Sequence, residues 1–462
     1  MSEKRETLAS SLGFLLVSAG CAVGLGNVWR FPYIVGENGG ALFVLLYIFF
    51  LLIFGLPMLT AEFAVGRASQ QSVVSAYKTL CPKPGAYTII SKLQVAANWL
   101  LMMYYMTVAG WMLAYPVEII RGAWDFSEPQ TYFGNFLSSP STQVIWTAIV
   151  CAIGFSVCAM GLKKGVESVT KKMMTILFVL LVGLCCYVLT LPNADVGVSF
   201  YLKPSLEILK ERSLVDIIFA ALGQSFFTLS LGIGSMSIFG SYTSRKYSLP
   251  GESAKIIAID TFVAFLAGLV IFPACFAFNV TPNEGPGLIF ITLPKVFGQM
   301  PAGRWVGALF FVFLALAALT TVIAVVENIV AMYMEKHECS RKTAILRTAP
   351  VLFILTLPCA LGFNVLSKFQ PFGAGSNVLD LEDFFVSNIA LPLGSLAFLI
   401  FCVCKRYWGW DNFLKEANTG SGLKFTNAIR GYVTYVLPAI LLSVFVGMLV
   451  IKFLPFIEKC FK

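Results

Sequence analysis

Two short stretches hold most of the chain's chemistry: GCAVGLGNVWRFP at 20–32 and FTLSLGIG at 227–234. Each lies in an apolar run and sets glycines beside oxygen-bearing side chains, Asn27 in the first, Thr228 and Ser230 in the second. Glycine weakens a helix through its backbone entropy and bares the peptide groups. In lipid every bared group must find a partner within the protein. A break at membrane depth therefore offers free carbonyls and N–H groups, reinforced by the half-helix ends that flank it. Carbonyls suit an ammonium group and a hard cation such as Na+, whereas N–H groups suit a carboxylate. The pair of breaks describes a hole for a zwitterion beside an alkali ion. Helix packing through Gly20-xxx-Gly24 would account for the glycines alone, but not for Asn27, Arg30, Thr228 and Ser230 gathered at the same places.

The elements that position these residues are membrane spans. Of 462 residues, 58% are hydrophobic and 12% charged, with a mean hydropathy of +0.82. Soluble domains carry about twice that charged fraction. Runs near the ~20 residues that cross a bilayer fall at 12–35, 41–65, 93–120, 144–160, 173–191, 214–241, 254–278, 305–334, 344–361, 379–404 and 432–454, eleven in all. With the N-terminus inside, 22 of the 33 Lys and Arg fall on the inner side, which sets a cytoplasmic N-terminus and, for an odd number of spans, an outer C-terminus. The net charge of +9 follows this bias and clusters on no soluble face, so nucleic acid is no expected partner. The 12 cysteines form no CxxC pair, the one histidine, His337, lies in a charged inner loop, and no nucleophile–base pair or cofactor motif stands out. A metal centre of the zinc type, a histidine proton relay and an enzyme are all disfavoured. The sequon at Asn279 is followed by proline and carries no weight.

The breaks, at 22–27 in the first span and 227–234 in the sixth, fall five spans apart, as in an inverted-repeat transporter. At these residues the chain resembles the neurotransmitter:sodium symporter family, in its bacterial amino-acid transporter branch. AVGLGNVWRFP and QSFFTLSLGIG are the specific matches, supported by EFAVGR at 62–67, GPGLIFITLP at 285–294 and Tyr47. The resemblance covers almost the whole chain. It implies an all-α polytopic fold in one domain, 1–462, with inverted five-helix repeats at 12–191 and 214–404 and one more helix at 432–454. The family's usual chain has twelve spans; the missing one lies outside the five-plus-five core.

By the same resemblance, a first Na+ site takes Ala22, Asn27, Thr228 and Asp260. A second takes the carbonyls of Gly20, Val23 and Ala317 with the hydroxyls of Thr320 and Thr321. Taken alone, Thr320 and Thr321 would more often bond their own helix's carbonyls. The amino-acid site would comprise Ala22, Leu25, Gly26, Leu101, Tyr105, Phe227, Thr228, Ser230, Ile233, Thr321 and Val325, with Tyr105 donating to the substrate carboxylate. Cys21 replaces a commoner polar residue. No charge lines the side-chain end, so a charged substrate would be unpaired in a dry site at a cost of several kcal/mol. The expected substrate is a neutral amino acid with a large aliphatic or aromatic side chain.

Animal members bind chloride at positions that correspond to Tyr47, Gln224, Thr228, Asp260 and Ala264. Here a serine is lost at Ala264 and a carboxylate gained at Asp260, which implies chloride-independent transport with Asp260 as a fixed anion. That carboxylate is also a candidate to return a proton outward. The outer gate is expected at Arg30 and Asp383 with Phe227 as a lid. The inner gate is expected at Arg5 and Glu335, supported by Ser241 and Tyr242, with Leu8 where the family has tryptophan. The sequence thus points to a sodium-coupled importer in the plasma membrane, the inner membrane of a bacterium, with the oligomeric state open, a homo-oligomer included. An ion channel would want a continuous polar stripe, and an amino-acid sensor would want a signalling domain or partner.

Overall fold

The computed structural model describes residue 8 and residues 10–124, 126–280 and 287–460, with side chains up to residue 450. Among these residues the chain is helical throughout, without a strand beyond the single bridge from Tyr247 to Ser421. Nine helices are long and apolar enough to cross a membrane. They are Ala41–Ser69, Tyr87–Arg121, Pro140–Ala159, Leu162–Val188, Leu249–Ala277, Gly303–His337, Arg341–Ala360, Val378–Val403 and Asn427–Val450. Ser11–Ala22 and Gly26–Glu37 together make one further span, bent by 53°. Leu214–Thr228 and Ser235–Ser241 stand where the sequence puts the sixth. The third and eighth spans are 35 residues each, longer than the sequence boundaries 93–120 and 305–334.

Both breaks differ in extent from the sequence reading. The first helix runs through Ala22, and Gly26 and Asn27 already belong to the next helical turn, so the gap is 23–25 and not 22–27. In the sixth span Phe227 and Thr228 are still helical, and the gap is 229–234. A helix gives way only where its ladder fails. Ser230, Gly232 and Gly234 have φ of +50°, +96° and +86°, a left-handed region that glycine enters without penalty. At Gly232 a side chain would also strike the carbonyl of Leu391, 2.3 Å from the built Cβ.

Five of the six wide, π-type turns directly precede an X-Pro pair: Phe31-Pro32, Leu56-Pro57, Leu293-Pro294, Leu391-Pro392 and Leu437-Pro438. Proline lacks the N–H and its ring crowds the carbonyl four residues back, so the preceding turn widens and frees an acceptor. Pro57 frees the carbonyl of Ile53, which accepts the Tyr432 hydroxyl at 3.1 Å and ties the second span to the eleventh. The third and eighth spans pack along each other and form the scaffold against which the broken helices lie.

Candidate substrate and ion site

At the first break the peptide groups leave the ladder one by one. The N–H of Gly24 turns to Asn27 Oδ1 (3.3 Å) and that of Leu25 to the Tyr105 hydroxyl (3.2 Å). The carbonyls of Gly20 and Cys21, which those N–H groups would have bonded, accept instead from Thr321 Oγ1 at 3.3 and 3.4 Å. Cys21 also accepts from Ser230 Oγ at 3.3 Å, so the two breaks meet. Tyr105 accepts through its oxygen and keeps its proton to donate.

Asn27, Thr228 and Asp260 come together with 0%, 1% and 0% exposure. Asn27 Nδ2 donates to the Asp260 carbonyl (3.2 Å) and carboxylate (2.9 Å), and Thr228 Oγ1 donates to the other carboxylate oxygen at 3.0 Å. Nearby, the buried Gln224 Oε1 has no hydrogen-bond partner, Gln224 Nε2 donates to the Gly26 carbonyl at 2.8 Å, and the buried Tyr47 hydroxyl lies against Asp260 and Thr228. Asp260, Thr228 and Gln224 thus offer oxygen, which a hard cation prefers, while Asn27 turns its nitrogen to Asp260 and its oxygen to the Gly24 N–H.

Of the second ion group, Gly20 lies against Thr320 and its carbonyl accepts from Thr321 Oγ1, whereas Val23 closes the first helix with its N–H on the Ala19 carbonyl. Thr320 Oγ1, however, donates to the Ala317 carbonyl of its own helix at 2.9 Å. Its oxygen retains lone pairs for a cation.

Between the breaks lies a cavity of about 30 Å³ lined by Cys21, Ala22, Gly24, Leu25, Gly26, Leu101, Tyr105, Phe227, Ser230, Thr321 and Leu391. Of the expected substrate contacts, Thr228, Ile233 and Val325 are off this wall. Thr228 turns to Asp260, and the Ile233 carbonyl accepts from Asn98 Nδ2 at 2.7 Å. Cys21, Gly24 and Leu391 join it instead. The volume holds about one water, so an amino acid must move side chains to enter, and the half-buried Phe227 is the least enclosed large side chain of the wall. The Arg30 guanidinium lies 4.3 Å from its ring centroid.

Gly24 cannot carry a side chain here. A Cβ would sit 2.5 Å from the Tyr105 oxygen and 2.6 Å from Thr321 Oγ1. Gly24→Ala should therefore displace both hydroxyls and reduce uptake at least ~10-fold through KM, since each lost hydrogen bond is worth about 1 kcal/mol or more; unchanged KM would show that neither hydroxyl is needed.

The expected gates are placed less simply. Arg30 and Asp383 form no direct ion pair; both act on Tyr33 and Tyr104, and Asp383 Oδ1 accepts from Ser387 at 2.7 Å. Arg5 lies outside the described residues. Glu335 accepts the Ser72 N–H at 2.8 Å, and Ser241 Oγ donates to the Ile238 carbonyl. Tyr242 donates to Glu327, which pairs with Arg341 at 2.6 Å, and the Tyr242 carbonyl accepts the Leu8 N–H. The buried Glu327–Arg341 pair was not foreseen, although an acidic residue deep in an apolar run is itself a signal. The same holds for Glu62, whose carboxylate accepts the N–H groups of Gly232 (2.9 Å) and Met236 (3.1 Å) across the second break.

The chain is similar to known transporters over its whole length. The description of the sodium:neurotransmitter symporter family matches residues 5–136 and 137–459. An uncharacterized sodium-dependent transporter of Bacillus subtilis (strain 168), YhdH, is 36% identical over 97% of this chain and 99% of its own. The sodium- and chloride-dependent taurine transporter of Bos taurus is 26% identical over 89% of this chain and 72% of its own. The crystal structure of MhsT in complex with L-phenylalanine matches with a TM-score of 0.85 at 36% identity, over 96% of this chain and 99% of that one.

Proposed function

The chain belongs to the sodium:neurotransmitter symporter family, and we propose that within it this transporter imports a neutral, apolar amino acid, aliphatic or aromatic, by Na+ symport without chloride. As a family member with the fold of MhsT it is a sodium-dependent membrane transporter and not an enzyme. The observation that carries the finer reading is the wall of the cavity. Gly24, Leu25, Tyr105 and Thr321 bring peptide N–H and hydroxyl groups to it, and Ala22, Leu25, Leu101, Phe227 and Leu391 bring apolar side chains. No ionised side chain lines it, so a charged substrate would have no partner. The phenylalanine bound by MhsT is of the class such a wall accepts.

Two Na+ ions, as cargo, would be held by the oxygens of Ala22, Asn27, Thr228 and Asp260, and by those of Gly20, Val23, Ala317, Thr320 and Thr321. The first of these shares Ala22 with the cavity wall, and its Thr228 follows Phe227 of that wall. Ion and substrate then gain affinity from one another, reciprocally. Substrate closes Phe227 under Arg30 from outside; loosening of the inner contacts at Tyr242, Glu327 and Arg341 then opens the other side. The N-terminus would be cytoplasmic, in accordance with the inner excess of Lys and Arg.

Uptake into proteoliposomes, with the twenty amino acids under an inward Na+ gradient with and without chloride, tests this. Saturable accumulation of apolar amino acids that needs Na+ but not chloride is expected. Binding without accumulation would instead fit a sensor, and non-saturable flux a channel; either outcome refutes the proposal.

A further inference from the structure

We propose that Leu391, on the tenth span, is a specificity-determining wall that limits the side chain this pocket accepts. The inference rests on the reading of the chain as a carrier of apolar amino acids and deepens it. Leu391 lines the cavity with 4% exposure and comes from a span that contributes no other cavity residue.

Its placement depends on the wide turn Phe385–Ala390 that ends immediately before it. In a regular helix, eight residues turn through about 800°, which would leave Leu391 roughly 80° round from Asp383. A wide turn absorbs one residue, so the eight count as seven and the two residues share one face. Pro392 favours that turn, because it has no N–H for the carbonyl of Asn388. The bulge thus aims Leu391 into the cavity, about two turns below the carboxylate near the outer surface.

The backbone that carries Leu391 is fixed. A Cβ built on Gly394 would lie 2.1 Å from the Gly232 carbonyl, and one on Gly232 would lie 2.3 Å from that of Leu391. Spans six and ten thus meet backbone to backbone at the second break, and neither can close further on the other. Phe227 is half-buried, whereas Leu391 is buried on a segment packed directly against span six. A rigid wall selects by steric exclusion, where a mobile one adapts.

The test is a size series. Leu391→Ala opens on the order of 100 Å³, and Leu391→Phe fills the cavity. With kcat/KM of Na+-driven uptake measured for alanine, valine, leucine, phenylalanine and tryptophan, Leu391→Ala should raise the tryptophan-to-valine ratio about 10-fold or more, and Leu391→Phe should lower it similarly. Leu391→Met and Leu391→Val give the same ordering in smaller steps where the larger changes prevent folding. If the wild type moves no apolar amino acid, the carrier reading has failed, and with it this inference. If the wild type transports and the variants keep its size order, or lose all amino acids equally, Leu391 only packs and the inference alone is overturned.

Discussion

Asp260→Asn is expected to lower Na+-driven uptake about 100-fold in chloride-free buffer. The carboxylate accepts one bond from Asn27 and one from Thr228, at 2.9 and 3.0 Å, with no exposure to water. Hydrogen bonds to a charged group are worth about 1.5–3 kcal/mol each, and in a dry site the charge itself attracts a neighbouring cation strongly. An amide retains one acceptor and turns an NH2 toward a donor, so one bond is lost with the charge. Ala264 lies one turn further along the same helix, buried, and the Tyr47 hydroxyl lies beside Asp260. Ala264→Ser added to Asp260→Asn should therefore recover uptake only when chloride is supplied, the anion taking the place of the carboxylate. Isotope uptake measured in chloride and in gluconate separates the cases. A wild type that needs chloride, or a double variant indifferent to it, would remove Asp260 from the role of fixed anion.

Glu62→Gln should be nearly as severe, though it touches neither substrate nor ion. The two oxygens of Glu62 take the N–H groups of Gly232 and Met236, which the gap in the sixth span leaves without helical partners. Around it, Gln94 Nε2 donates to the Gly232 carbonyl (3.0 Å) and Asn98 Nδ2 to that of Ile233. The break is therefore satisfied by side chains from the second and third spans. Glutamine replaces one acceptor by a donor and sets N–H against N–H in a buried site, which costs about 1–3 kcal/mol beyond the lost bond. Uptake should fall ~30- to 1000-fold, with a lower midpoint of thermal unfolding in detergent. Wild-type values for both would show that the break holds without the carboxylate.

Ten of the eleven expected spans and the two breaks were legible in the sequence because hydropathy and glycine placement are local signals. Asn27, Thr228 and Asp260 were likewise found through motifs, and they meet. What escaped depends on contacts between distant segments. Leu391 reaches the cavity only because a proline-forced turn rotates it and Gly394 lets its span press on Gly232. The Leu391-Pro392 pair within an apolar run was the available signal, just as Glu62 and Glu327 were visible as acids in such runs. The limits of the breaks were read too widely at 22–27 and 227–234, since Asn27 and Phe227 look like break residues by type yet keep helical backbone. Thr320 chose its own Ala317 carbonyl, a choice between equal acceptors that only geometry settles.

The wide turns ahead of Pro32, Pro57, Pro294, Pro392 and Pro438 bear on how such chains can diverge. Each holds a surplus residue that a regular helix would lack, so deletion at that point shortens the span without reorienting the faces beyond it. The proline disfavours that deletion, because in the tighter turn its ring crowds the carbonyl four residues back. Related chains one residue shorter at such a point should lack the imino acid more often than chains of full length.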